Sequence, residues 1–128
     1  MSRPLPHDFE ATIRIFMAKE GGRRTAAFNG IRWDFAYADD GPNPPMLYMI
    51  WPEFLASDGE PFADGIPLPK DEELVARMRI LSDELRVEVH RQRIAVGVRF
   101  YCHEGGTRVA QGVVTRITGL FVTRTGGV

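Results

Sequence analysis

Two short stretches carry residue types from which a phosphate-binding surface can be built. Glu20-Gly21-Gly22-Arg23-Arg24-Thr25 and Glu104-Gly105-Gly106-Thr107-Arg108 each place an acidic residue and two glycines ahead of arginine. Glycine reaches positive φ without steric cost, so each stretch reads as a tight turn. Guanidinium groups grip phosphate oxygens two at a time, and the amides of a glycine turn add donors. Arg23, Arg24 and Arg108 are therefore candidates for one anion-binding patch. The competing reading is structural: solvated turn arginines, or pairs with Glu20 and Glu104. A second basic set, Arg86, Arg91, Arg93 and Arg99 with His90, reads as exposed faces of strands and a loop.

Other chemistries find less support. Cys102, His103, His90 and His7 lack metal-ligand spacing, and strand neighbours such as Cys102 and His103 are expected on opposite faces. Ser57-Asp58, Asp39-Asp40 and Glu72-Glu73 read as loop and turn residues rather than acid–base pairs. There is no Gly-x-x-x-x-Gly-Lys-Ser/Thr phosphate loop. Neither an enzyme nor a cofactor, bound metal or nucleotide is expected. The single cysteine allows no internal disulfide, and no apolar run approaches the roughly 20 residues of a membrane helix. Met1 to Pro6 lacks the apolar core of a signal peptide, so the expectation is a cytoplasmic protein without a membrane partner.

Charge is unevenly spread although the net is −1. Ten acidic residues lie between Asp34 and Glu73 against Lys70 alone, whereas the remainder holds fifteen basic and seven acidic groups. A face that attracts a polyanion is compatible with this balance, as are scattered solvated charges.

These residues need elements to position them. Phe9, Ala11, Ile13, Ile15 and Met17 recur at every second position, the period of a half-buried strand. Ile31, Trp33, Phe35 and Tyr37 repeat the pattern with Arg32 and Asp34 between them, after a bend at Asn29-Gly30. Asp39 to Pro45 is a loop, and Met46 to Trp51 reads as a strand ended by Pro52. The long connection over 57–70 predicts a binding loop or a mobile segment. Residues 73–81 fit either helix or strand, and the alternation of Leu85, Val87 and Val89 tips the region toward extended structure. Gly97 to His103, the Glu104-Gly105-Gly106 turn and Arg108 to Ile117 predict a C-terminal hairpin. Leu120-Phe121-Val122 is either a partner-binding tail or another strand. The length of 128 residues suits one domain, and the pattern predicts an all-β sandwich or closed barrel.

Phe9-Glu10-Ala11, Glu20 to Thr25 with Phe28-Asn29-Gly30 and Arg32, and finally Val98-Arg99-Phe100, Glu104-Gly105-Gly106 and Val113-Val114-Thr115 resemble the C-terminal β-barrel domain of bacterial elongation factor Tu. The likeness spans about 9–117 and leaves 1–8 and 118–128 as terminal extensions of one domain. It implies a small closed antiparallel barrel of about six strands with Greek-key-like order. It also implies a non-catalytic module that contacts tRNA or another structured RNA through Arg23, Arg24, Thr25, Arg32, Glu104, Gly105 and Arg108. Trp33-Asp34 stand where that family has proline and glutamine, and the acidic middle and long loops support an alternative, a protein-interaction or regulatory module without RNA.

Overall fold

Alternation of apolar side chains builds the frame, which the computed structural model describes over residues 7–42 and 44–124. Strand β1 (Phe9–Ile15) buries Phe9, Ala11, Ile13 and Ile15 completely. It sits near the middle of one antiparallel sheet with β2 (Asp34–Tyr37), β3 (Ile50–Leu55), β4 (Glu73–Ile80), β5 (Arg99–Glu104) and β6 (Thr107–Ile117). The strand order is β2-β5-β6-β1-β4-β3. The fold is all-β with one short helix, α1, over 83–93. Its pieces are Asp83–Leu85, Arg86–His90 and Arg91–Arg93, the middle one in π geometry.

The expected closed barrel is not formed. The sheet curls until its edges β2 and β3 approach, but they share no ladder. The one bridge recorded there joins Phe35 of β2 to Tyr48, two residues before β3, through two N–H···O bonds of 2.8 Å. β2 is only four residues long, and the loop leading from it contains Pro42, Pro44 and Pro45, which lack the donors a longer ladder needs.

Aromatic packing fills the curl. Phe35 stacks on Phe100 at 4.6 Å between centroids and meets Tyr37 and Phe9 edge-on. Gly112 lies opposite Phe100 in the ladder, and a Cβ there would come within 2.4 Å of the ring. The glycine is what lets that ring lie flat against β6.

The expected bounds of the third strand also change. The third strand begins at Ile50, not Met46, and Pro52 lies inside it opposite Met78. An edge strand tolerates proline because no partner awaits the missing donor on the open side. Asn29 covers that open edge two residues later, accepting from the Phe54 N–H at 2.8 Å and donating to the Phe54 and Phe62 carbonyls. The connection after β3 folds back through bridges Leu55–Pro61 and Phe28–Pro67, and Leu68 enters the core.

Residues 85–89 are helical rather than extended. Ser82 caps α1 by accepting from the Leu85 N–H at 3.1 Å. Leu85 and Val87 remain substantially exposed, while Arg86, His90 and Ile94, four residues apart, turn inward. A buried face built from arginine and histidine leaves no apolar periodicity to read. Beyond Ile117, Thr118 and Leu120 donate to the Asp8 carbonyl at 3.0 and 3.1 Å, and Leu120 is fully buried. Of the two readings of Leu120-Phe121-Val122, another strand is not formed. No helix among the described residues is long and apolar enough to cross a membrane.

Candidate binding site at the paired glycine turns

The first turn is built by local bonds. Glu20 accepts from the Met17 N–H at 3.0 Å and pairs with Arg14 at 3.0 Å, and these contacts, Arg14 foremost, hold its carboxyl below the usual carboxylate range. Gly21 adopts φ 93°, and a Cβ on Gly22 would lie 2.6 Å from the Phe16 carbonyl oxygen. Each glycine is required for its own reason, one for backbone rotation and the other for close approach.

The two turns then meet. Arg23 Nη1 lies 2.7 Å from Glu104 Oε2, and its Nη2 donates to Thr25 Oγ1 at 3.0 Å. The same Glu104 oxygen accepts from the Trp33 indole at 3.0 Å. Lys70 Nζ donates to the Arg23 carbonyl at 2.7 Å. One carboxylate thus joins both turns to the residue that enters β2.

Of the seven residues expected at the site, Arg23, Thr25 and Glu104 are in direct contact. Arg24 and Gly105 adjoin them in sequence, and Arg108 follows the second turn. Arg24 is exposed, and the Arg108 guanidinium lies 3.7 Å from the Tyr101 ring centroid. Among the described residues neither arginine has an acidic partner within salt-bridge range. Arg32 departs from the expectation, because its side chain turns to Trp51 on β3, 4.8 Å from the ring centroid. Sequence reasoning missed Trp33 as a linker and Lys70 as a contributor. The signal for Lys70 was available, since it is the lone base within the acidic stretch from Asp34 to Glu73.

Cys102 and His103 do not alternate as expected. The β5–β6 register shifts between them, and both are buried, at 2% and 3% exposure. Burial pushes the Cys102 thiol up to about 12 and holds His103 below the ordinary imidazole value. Neither His103 ring nitrogen has a hydrogen-bond partner among the described residues.

The second basic set is mostly a structural clasp, not an exposed strand face. Asp8, 1% exposed, accepts from Arg86 Nε at 2.7 Å, Arg124 Nη2 at 2.5 Å and the Ile80 N–H at 2.8 Å. Arg86 also donates to the Gly119 and Val122 carbonyls, and Arg91 to that of Leu120. Arg93 pairs with Asp40 at 2.8 Å and covers the Tyr37 ring. Tyr37 and His90 meet at 2.6 Å through the phenol oxygen and Nδ1. Burial lowers His90 to about 4 and raises the Tyr37 phenol, so the phenol donates to a neutral imidazole. Only Arg99 of this set remains on an exposed strand face without an acidic partner among the described residues.

No protein-family model matches the chain.

Proposed function

We propose that this chain is a non-catalytic binding module that takes the phosphate backbone of a structured RNA, such as tRNA, at its paired glycine turns. A translation-related, cytoplasmic role accompanies this reading. The observation that carries it is the division of labour at Glu104. That carboxylate is committed to Arg23 and Trp33, so the turns are tied together, while Lys70 on the Arg23 carbonyl and Arg24 and Arg108, which follow the two glycine pairs in sequence, lack acidic partners among the described residues. Unneutralised guanidinium groups beside glycine amides are suited to phosphate. The resemblance of these turns to elongation factor Tu's third domain supports RNA as the polyanion. High thiol pKa at Cys102 supports a non-catalytic reading, because the thiolate is the nucleophile.

The test is a titration with total tRNA at several salt concentrations. Two or three phosphate contacts predict a log–log salt slope of about −1.5 to −3, and Arg24→Glu with Arg108→Glu should weaken binding by tenfold or more. Unchanged affinity in that double variant, or no binding at low salt, overturns the proposal. Arg23 is a poor probe, since its removal also frees Glu104.

One observation favours the protein-interaction reading. Phe28 is 42% exposed at its bridge to Pro67. Binding to a protein there would be little affected by salt and weakened by Phe28→Ser.

A further inference from the structure

The ladder register sets charged side chains on the outer face of the sheet in rows. Glu53, Arg77, Glu10 and Arg116 stand opposite one another across β3, β4, β1 and β6. Their signs alternate, with Arg77 3.7 Å from Glu53 and Arg116 3.9 Å from Glu10. That row is neutral in itself.

The next row is not. Trp51 stands opposite Arg79 in the β3–β4 ladder, and the Arg32 guanidinium lies 4.8 Å from the centroid of the same indole ring. Residues directly opposite on one face keep their Cβ atoms about 5 Å apart, so two arginines share one ring. Neither has an acidic partner within salt-bridge range among the described residues. Asp8 and Asp83, which lie near Ile80, are already matched by Arg86 and Arg124. Glu53, two residues beyond Trp51 on the outer face of β3, is shared with Arg77. Counting Arg32, Arg77 and Arg79 against Glu53 therefore leaves two positive charges in surplus.

We infer that Arg32, Trp51 and Arg79 form a phosphate site on the outer face of β3 and β4, distinct from the paired turns. The side chains select the ligand. Guanidinium and indole N–H groups only donate, so the cluster offers nothing to a cation. The planar fork of arginine matches phosphate oxygens, and a phosphate monoester near pH 7 brings a charge of about −1.5 to −2, enough for both arginines. A single carboxylate would leave one of them unmatched. Free phosphate and the phosphate of a nucleotide present the same chemistry here.

The chain has two tryptophans, so its ¹⁵N spectrum holds two indole N–H signals, which Trp51→Phe assigns. Trp33 reports on the paired turns through Glu104, and Trp51 reports on the site beside Arg32. At pH 7.5 and constant ionic strength, inorganic phosphate and adenosine monophosphate are expected to shift the Trp51 signal saturably. Tighter binding of the nucleotide assigns the site to an ester, and equal binding assigns it to the free ion. Acetate should bind much more weakly, and adenosine should leave the signal in place. Arg32→Gln and Arg79→Gln should each weaken phosphate binding by about tenfold, the effect of losing a charge-assisted hydrogen bond. Glu53→Gln should strengthen it by removing the nearby carboxylate. An unmoved Trp33 signal in each unliganded variant verifies folding. No Trp51 shift with phosphate, an equal shift with acetate, or unchanged affinity in the Arg79→Gln protein overturns the inference. A shift confined to Trp33 also overturns it but leaves the turn site standing, so the two readings fail separately.

Discussion

His90 ties the stability of this protein to pH through a single buried ring. It faces Tyr37, Tyr48, Arg93 and Asp8. With its value lowered from 6.5 to about 4, the unfolded chain takes up a proton that the folded chain refuses between those limits. The contribution is therefore fully present above about pH 6.5 and is lost as pH falls toward 4, amounting to on the order of 3 kcal/mol. His103, also lowered by burial, acts in the same direction. Urea midpoints at pH 7.5, 5.5 and 4.5 should fall steeply for the native protein, and His90→Gln should flatten that slope. Asp8 supplies the second residue-scale prediction. Asp8→Asn leaves Arg86, only 2% exposed, without its counter-charge and should cost about 3–5 kcal/mol in urea unfolding. Adding Arg86→Met should recover part of that loss, because the uncompensated buried charge is then gone.

The strands depend on two side-chain devices that local pattern does not announce. Gly112 makes room for Phe100, so Gly112→Ala drives a methyl into a ring stacked against Phe35. The expected cost is about 1–3 kcal/mol, and Phe100→Leu in the same chain should relieve some of it, as thermal unfolding would measure. Asn29 stands in for a missing neighbour of β3. Asn29→Ala removes three bonds at that edge, and the Phe54 amide should then exchange with solvent at least tenfold faster while the amides of β1 keep their protection. The helix is another case in which side-chain partners, not propensity, decide the element. Its buried arginine and histidine find a carboxylate and a phenol brought from distant parts of the chain.

At the scale of the whole molecule, residues near the two ends of the described chain are joined. The Asp8 carbonyl receives Thr118 and Leu120, its carboxylate receives Arg124, and Leu120 fills a core position. Deleting residues 118–128 should therefore lower the thermal midpoint by roughly 10 °C or more, as a differential scan would show, through loss of both a buried leucine and a charge partner. A removable appendage would leave the midpoint unchanged. Much of the frame was legible beforehand: the alternation in β1, the paired glycines and the C-terminal hairpin all follow from local periods of two residues and from turn chemistry. Arg23 with Glu104 was also legible, as the structural alternative to a free phosphate patch. What the sequence by itself determined is which segments extend, where they reverse and that the composition suits one all-β domain. Only the tertiary structure decided which arginines remain available, which edge asparagine covers, and that the sheet curls without closing. The reason is distance along the chain: Asp8 and Arg86 are 78 residues apart, and Asp8 and Arg124 are 116 apart, so the pairing of their charges has no local signature.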